Sequence, residues 1–156
     1  MNIYIEVATE NNLANLLPLV SAYHNFENIQ TSKHEREKSI RHLVTNESLG
    51  KIWLIYEDTK IIGYIALCFG FSIEFSGLDA FVDEFFIAPD LRGRGVGTKV
   101  LECVKIEAKK MGIRALHLEV ARSNKKARNL YTRSNFKARE KYVLMSVNLH
   151  PDSIES

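Results

Sequence analysis

A glycine-rich turn between an apolar run and a helix constrains the fold of this chain more than any other feature. The segment 82–98 reads VDEFFIAPDLRGRGVGT, and residues 85–87 have the aromatic and β-branched content of a buried strand. Pro89 and Asp90 end that strand, because proline has no N–H for a ladder and aspartate favours turns. Glycines then leave backbone N–H groups uncovered at the start of a predicted helix. These glycines are Gly93, Gly95 and Gly97.

This turn predicts a binding site for a phosphate or a pyrophosphate. The dipole of the following helix places partial positive charge at its N-terminus, and Arg92 and Arg94 can add full charges. The order Gly97-Thr98-Lys99 is not that of a P-loop, and the spacing G-x-G-x-G is not the dinucleotide fingerprint. A glycine cluster alone is equally typical of a surface turn that binds nothing, so the rest of the sequence has to decide.

A longer stretch of the sequence resembles the GNAT superfamily of N-acetyltransferases. Arg92, Gly95 and Gly97 are in register with the Arg/Gln-x-x-Gly-x-Gly signature with which that family binds acetyl-CoA. The resemblance covers residues 82–137, a stretch that includes Tyr131. It implies an acyltransferase that uses acetyl-CoA as cosubstrate and an amine as acceptor.

The resemblance also implies which residues contact the cosubstrate. In the family, a bulge in the strand before the turn frees backbone N–H groups for the acetyl carbonyl and the pantetheine, and bulges do occur beside active sites. The glycine turn holds the diphosphate, and the last helix adds polar contacts. The implied contacts are Phe85, Phe86, Ile87, Arg92, Gly93, Arg94, Gly95, Val96, Gly97, Thr98, Asn124, Asn129 and Tyr131.

Acyl transfer to an amine requires a base for the ammonium proton, an N–H donor for the carbonyl oxygen and an acid for the departing thiolate. Tyr131 follows Asn124 by about two helical turns, and the resemblance implies that its phenol is the acid. Glu84 and Glu119 are the candidates for the base, because a carboxylate within an apolar strand is costly unless it is paired or functional. Glu84, acting through water, is favoured, and a salt-bridged surface position is the alternative for each.

The motif Asp83-Glu84-Phe85-Phe86 is similar to the Glu-Asp-Phe-Phe of spermidine/spermine and thialysine acetyltransferases. Carboxylates and aromatic faces suit a cationic amine, and the segments that carry them form the acceptor side in the family. The implied substrate contacts are Tyr23, Phe26, Glu27, Glu74, Asp79 and Asp83. The acceptor is therefore expected to be a small molecule with a primary amine, such as a polyamine or an amino-acid-like compound. The alternatives are an N-terminal or lysine acetyltransferase of proteins and a non-catalytic acyl-CoA-binding domain.

Composition excludes several other classes of function. A net charge of +2 over 156 residues argues against binding to nucleic acid or to a membrane surface by bulk charge. The longest apolar run, residues 61–71, is too short to cross a bilayer, and the N-terminus lacks the layout of a signal peptide. A cytoplasmic protein with reduced cysteines is expected. The five histidines lack ligand spacing, so no metal is predicted.

The order of predicted elements favours an α/β fold, a mixed sheet with helices on both faces. The pattern predicts a strand, a first helix, a loop over 22–32 and a second helix over 33–45. Three strands, a helix, a strand over 115–120, a short helix and a closing strand over 142–149 are predicted to follow. The resemblance implies the same topology, and dimers are common in the family. Residues 1–150 are expected to form one domain, followed by a C-terminal tail of residues 151–156.

Overall fold

A computed structural model describes residues 2–150 of the chain. Five strands form one sheet in the order β1-β2-β3-β4-β5. Neighbouring strands from β1 to β4 are antiparallel, whereas β4 and β5 are parallel. The strands are β1 (Ile3–Val7), β2 (Gly50–Glu57), β3 (Lys60–Ser72), β4 (Gly77–Ile87) and β5 (Ala115–His117). The helices are α1 (Leu13–Phe26), α2 (Lys33–Thr45), α3 (Val96–Lys110) and α4 (Lys125–Arg133). The mixed sheet of the predicted α/β fold is confirmed.

Helices cover both faces of this sheet. On one face, α3 buries an apolar stripe that includes Val96, Val100 and Val104 against the sheet, and Leu130 of α4 packs on the same core. On the other face, α1 and α2 pack on the opposite sides of β2 and β3. Leu16 of α1 is among the residues buried there. The helical spacing of apolar residues in α3 therefore marks the side that faces the sheet.

Capping residues fix where the first helices begin. Thr9 caps a short 3-10 turn that leads into α1, and Ser32 forms a capping box with Glu35 at the start of α2. The predicted bounds of α2 are confirmed. Helix α1 continues to Phe26, beyond the predicted loop start, because His24 lies one turn after Val20 and is also buried.

Strands β4 and β5 separate along their length. Their ladder pairs only Asp79 with Ala115 through Phe81 with His117, and β4 continues for six more residues to Ile87. On the β3 side, the register shifts so that Asp83 is an extra residue in β4. The bulge and the diverging strands open a gap in the sheet, which is the feature that positions the site.

The C-terminal part of the chain differs from the prediction. Strand β5 ends at His117 instead of residue 120, and residues 142–149 form no strand. A strand needs a neighbour for its hydrogen bonds, and the described chain brings no second edge to this segment. The predicted tail of residues 151–156 lies outside the described residues. Within residues 2–150, no helix is both long enough and apolar enough to cross a membrane.

Candidate active site

A cavity of about 1070 Å³ opens where β4 and β5 diverge. Its walls come from the end of α1, from β4, from the glycine turn, from residues 118–121 and from α4. This volume lies just above the usual range for small-molecule sites, roughly 300–1,000 Å³. The cavity is therefore large enough for an extended ligand.

The glycine turn has the conformation that an anion site requires. Gly93 and Gly95 have φ of +76° and +81°, values that side chains rarely adopt, and α3 begins directly after Gly95. Because Gly95 is the N-cap and has no side chain, its position leaves the first N–H groups of α3 without a side-chain cap. Gly93, Gly95, Gly97 and Thr98 all line the cavity. The chemistry of this end of the cavity fits a diphosphate.

The two arginines of the turn have different surroundings. Arg92 lines the cavity, donates from Nε to the carbonyl oxygen of Ile87 at 2.8 Å, and stacks its guanidinium over Phe26 at 4.9 Å. Arg94 points elsewhere: its Nη2 lies 3.6 Å from a carboxylate oxygen of Glu57, and it does not line the cavity. Of these two arginines, only Arg92 thus contributes a side-chain charge to the cavity wall.

Two further residues of the predicted cosubstrate set are core residues. Val96 is buried under the sheet, and Phe86 is buried on the α1 face; neither side chain lines the cavity. Any contact that they make with a ligand in the cavity therefore comes from their backbone. Phe85 and Ile87 do line it, on the side of β4 that has lost its β5 neighbour.

Helix α4 brings three predicted residues to the opposite wall: Asn124, Asn129 and Tyr131. Asn124 caps the helix by accepting a hydrogen bond from the N–H of Ala127 at 3.2 Å. Burial raises the pKa of Tyr131, and the nearby charge of Glu27 raises it further. The phenol of Tyr131 is consequently protonated at neutral pH, as an acid must be.

Close packing fixes α4 against α3. A Cβ at Gly97 would lie 3.0 Å from Cδ2 of Leu130, a contact so tight that Leu130 would have to shift by a few tenths of an ångström to admit it. Helix α4 also contributes Lys126 and Arg133 to the cavity wall, and neither is among the site residues that the sequence predicts. Their helical spacing around Asn129 was the available signal.

The predicted acceptor residues divide into two groups. Tyr23, Phe26, Glu27 and Asp83 line the cavity near Tyr131. Glu74 lies in the β3–β4 turn and pairs instead with Arg139 at 3.2 Å. Oδ2 of Asp79 lies 3.1 Å from Nε2 of His117. Neither of these two carboxylates lines the cavity.

The two predicted bases also occupy different environments. Glu119 is exposed and lines the cavity, just beyond the end of β5. Glu84 lies outside the lining, where one carboxylate oxygen is 2.7 Å from Nε2 of His24 and the other accepts from the Tyr64 hydroxyl at 2.8 Å. Burial raises the pKa of Tyr64, and the charge of Glu84 adds to that rise. Neither His24 nor Tyr64 is among the site residues that the sequence predicts.

Tyr23 connects this carboxylate cluster to the cavity. Its ring lies 6.0 Å from that of His24 and 6.3 Å from that of Tyr64, and it also lines the cavity. Burial raises the pKa of Tyr23, followed by the charges of Glu27 and Glu84. In the part of the chain that the structure describes, no three His, Cys, Asp or Glu side chains converge as a metal site.

Comparison with known proteins places this geometry in a family. Residues 16–136 match the model of the acetyltransferase (GNAT) family. A thialysine N-epsilon-acetyltransferase of Mus musculus is 32% identical over 75 residues, which cover 48% of this chain. That alignment spans 44% of the mouse protein, less than half of its length.

Solved structures share the fold over nearly the whole chain. An integron cassette protein, HFX_CASS3, from the mobile metagenome of Cole Harbour Salt Marsh is 32% identical, with a TM-score of 0.83 over 94% of this chain and 91% of its own. A protein of Clostridium acetobutylicum described as a predicted acetyltransferase, crystallised with acetyl-CoA, has a TM-score of 0.75 at 19% identity, over 93% of this chain and 96% of its own. Since the family match extends from α1 to the end of the α4 region, the chain belongs to the acetyltransferase (GNAT) family and is an acyltransferase.

Proposed function

We propose that this protein transfers the acetyl group of acetyl-CoA to a primary amine of a small, cationic molecule. One observation carries the proposal: a single cavity joins the glycine turn, the phenol of Tyr131 and the carboxylates Glu27, Asp83 and Glu119. The turn suits a diphosphate and the carboxylates suit an ammonium group, so one ligand of each kind would meet at Tyr131.

The cosubstrate would lie between α3 and α4. The turn at Gly93 and Gly95 would bind its diphosphate, and Lys126 and Arg133 add positive charge to the same cavity. The family uses acetyl-CoA, and a relative of the same fold was crystallised with it. The pantetheine arm would follow the gap between β4 and β5, where the unpaired side of β4 supplies backbone donors near Phe85.

The acceptor would enter from the α1 side of the gap. Tyr23 and Phe26 supply aromatic faces there, and Glu27 and Asp83 supply negative charge. The similarity to a thialysine acetyltransferase supports an amine of comparable size. Such an acceptor arrives as an ammonium ion and has to lose a proton before its nitrogen can attack.

The chemical step would be direct attack in a ternary complex. The neutral amine forms a bond to the thioester carbon, the C–S bond breaks, and Tyr131 gives its proton to the departing thiolate. The nitrogen then loses its second proton, which restores the phenol of Tyr131. A base takes the ammonium proton, and one proton is released to solvent for each amide formed. Glu119 can accept that proton directly from the cavity, whereas Glu84 lies behind the wall and needs an intervening water.

The test is release of free coenzyme A thiol from acetyl-CoA with a panel of amines. Polyamines, lysine analogues and aminoglycosides represent small cationic acceptors, and peptides with free N-termini or lysines represent protein acceptors. Turnover of at least one small amine supports the proposal. Turnover of peptides alone assigns the enzyme to protein acetylation, and calorimetric binding of coenzyme A without turnover of any amine assigns a binding role.

A further inference from the structure

The hydrogen-bonded cluster around Glu84 extends through two further residues toward α2. Nε2 of His24 lies 2.7 Å from one oxygen of the Glu84 carboxylate, and Nδ1 of the same ring lies 3.0 Å from the Thr31 hydroxyl. Arg36 of α2 donates from Nη1 to the carbonyl oxygen of Thr31 at 2.6 Å and to its hydroxyl oxygen at 3.3 Å. His24 is buried, and both of its ring nitrogens are engaged. The orientation of the imidazole is therefore fixed from two sides.

These contacts also determine which ring nitrogen carries the proton. An ionised carboxylate only accepts hydrogen bonds, so Nε2 of His24 has to be the donor to Glu84. The hydroxyl oxygen of Thr31 accepts from Arg36, and its own proton is available for Nδ1. In the neutral ring the proton is therefore on Nε2, because the hydrogen bond at one ring nitrogen sets the state of the other.

Glu84 is separated from the cavity by its own neighbours in the strand. Asp83 and Phe85 line the cavity, whereas the carboxylate of Glu84 meets His24 on the α1 side. The bulge at Asp83 accounts for this arrangement, because an extra residue in a strand re-aims the side chains beside it. Tyr23 lines the cavity and also lies against the cluster, with its ring 6.0 Å from that of His24. An intervening water would connect the cavity to the carboxylate.

The cluster holds a charge that the stability of the fold does not require. A buried carboxylate is costly unless donors compensate it, and replacing both partners of a buried hydrogen bond by apolar groups can be nearly neutral for stability. His24 and Tyr64 donate to one oxygen of Glu84 each, and the side chain of Glu84 is 16% exposed. Each oxygen keeps a second lone pair, so the carboxylate can still accept a hydrogen bond from a water.

We propose that His24 is a positioning residue for removal of the acceptor's proton, an inference that rests on the proposed acetyl transfer. The Nε2–H of His24 orients Glu84 and keeps it ionised, so that Glu84 is the base. The ammonium group gives one proton to a water, the water passes one proton to a carboxylate oxygen, and Glu84 becomes the neutral acid. After the product leaves, Glu84 releases this proton to solvent, and the donor from His24 favours the ionised form again.

The test compares pH profiles of kcat/KM for the fastest-reacting polyamine, lysine analogue or aminoglycoside at saturating acetyl-CoA. His24→Leu removes the donor, and a carboxylate without its donor is easier to protonate. The acidic limb of the profile should move up by about one pH unit or more, and turnover at neutral pH should fall about tenfold. KM for acetyl-CoA should stay unchanged. His24→Gln, whose amide can donate from a similar position, should bring the limb back toward that of the wild type.

Other groups that could titrate close to the pair stay the same in these variants. They are Tyr23 and Glu27 on and next to α1, Arg36 on α2, Tyr64 and Cys68 on β3, and Asp83 on β4. The amine and its own ionisation are also the same throughout. A difference in the acidic limb between variants at position 24 therefore reports the bond from His24 to Glu84.

His117 provides a matched control. Its Nε2 lies 3.1 Å from a carboxylate oxygen of Asp79, and neither side chain lines the cavity. His117→Leu removes a comparable donor from a carboxylate and should leave the acidic limb in place. In a Glu84→Gln background, His24→Leu should lower turnover no further, because the residue through which it acts is already changed. Circular dichroism verifies that each variant is folded.

A second measurement does not depend on turnover. Nitrogen-15 spectra of the unliganded enzyme distinguish the two ring nitrogens of a histidine, and the signals that disappear in His24→Gln belong to His24. At a pH at which this ring is neutral, the proton should be on Nε2.

The outcomes distinguish failure of this inference from failure of the proposed function. If the wild type acetylates an amine and His24→Leu either keeps the acidic limb in place or loses the same fraction of activity at every pH, only the role of His24 is overturned. An equal shift in His117→Leu, a further loss in the double variant, or a ring proton on Nδ1 also overturns that role. A wild type that turns over no amine overturns both proposals.

Discussion

His24 and Glu84 lie 60 positions apart in the chain and meet with Nε2 and a carboxylate oxygen 2.7 Å apart. The contact ties α1 to β4 on the side where the acceptor would enter. The other ring nitrogen of His24 lies 3.0 Å from the Thr31 hydroxyl, and Tyr64 donates to the second carboxylate oxygen of Glu84. Glu84 is thus held on both oxygens by two elements, β3 and α1, that flank it.

We expect Tyr64→Phe to destabilise the protein by about 1–3 kcal/mol, because it removes a donor to a carboxylate and leaves one oxygen unpaired. Urea denaturation measures the change. Tyr23→Phe is the matched control, since the structure shows no hydrogen bond from its hydroxyl to another described residue, and it should change stability far less. When Tyr64→Phe is combined with Glu84→Gln, the loss of stability of the double variant should differ from the sum of the two single losses. Equal losses in the two phenylalanine variants would show that the bond to Glu84 adds nothing.

The two candidate bases are separated by rescue at high pH. A base is unnecessary once the amine is neutral, so a variant that lacks the base should recover turnover as the pH approaches the amine's own pKa. Glu84→Gln and Glu119→Gln are compared over this range at saturating acetyl-CoA. The variant whose deficit disappears at high pH identifies the base. A deficit that is constant with pH in both variants would remove both residues from that role.

Tyr131→Phe should lower kcat by about 100-fold or more, the usual contribution of a general acid, with little change in the affinity for coenzyme A. Because burial raises the pKa of Tyr131 above its ordinary value of 10.0, the phenol remains protonated throughout the neutral and mildly alkaline range. The wild type should therefore show no loss of kcat from this group below about pH 10. Phe136, 5.8 Å from the Tyr131 ring, offers a control in Phe136→Leu, which changes packing and keeps the phenol. A phenylalanine variant with normal kcat would exclude the acid role.

Gly95 and Gly112 form a matched pair at the two ends of α3. Their φ values are +81° and +80°, and an added Cβ would meet nothing within 4 Å at either position. Alanine should therefore cost both variants about 1–2 kcal/mol of stability through backbone strain alone. Only Gly95→Ala should weaken the binding of coenzyme A, because of these two glycines only Gly95 lines the cavity. Calorimetry measures the affinity, and an equal effect on binding at both positions would contradict the assignment of the turn.

Cys68 should be a slow nucleophile. Burial raises its pKa to about 11, and the charges of Asp83 and Glu84 contribute to the rise. A raised pKa favours the thiol, so at pH 8 only about one molecule in a thousand carries the thiolate. Alkylation at Cys68, followed by mass spectrometry separately from Cys103, should accelerate up to about pH 11. Asp83→Asn should increase the rate at pH 8, and fast alkylation of the wild type at that pH would show that the thiol is not buried in this way.

The parts of the site that depend on neighbouring positions in the sequence could be predicted from it. The strand end, the three glycines and the start of α3 form one continuous segment, and Asn124 and Tyr131 share one short helix. The cluster of Glu84, His24 and Tyr64 could not be predicted, because its members come from three separate elements. The local sequence does not show that a histidine on a helix pairs with a carboxylate on a strand that is distant in sequence.

Two other differences also have a physical origin outside local sequence. The alternation over residues 142–149 predicts a strand that the structure does not form, because a strand exists only where an edge receives it. Likewise, the polar composition of residues 22–32 suggested a loop, whereas burial of His24 extends α1 to Phe26. In both cases tertiary contacts outweigh the local preference.

Leu130 packs against Gly97, so the first turn of α3 is in direct contact with the helix that carries Tyr131. With only a hydrogen on the α3 side, the leucine rests almost directly on the backbone of the helix whose first turn would hold the diphosphate. Tyr131 is the next residue along, so the packing at Gly97 also positions the turn of α4 that carries the phenol. A cosubstrate anchored at the first turn of α3 would therefore meet α4 at the close spacing that a glycine at position 97 allows.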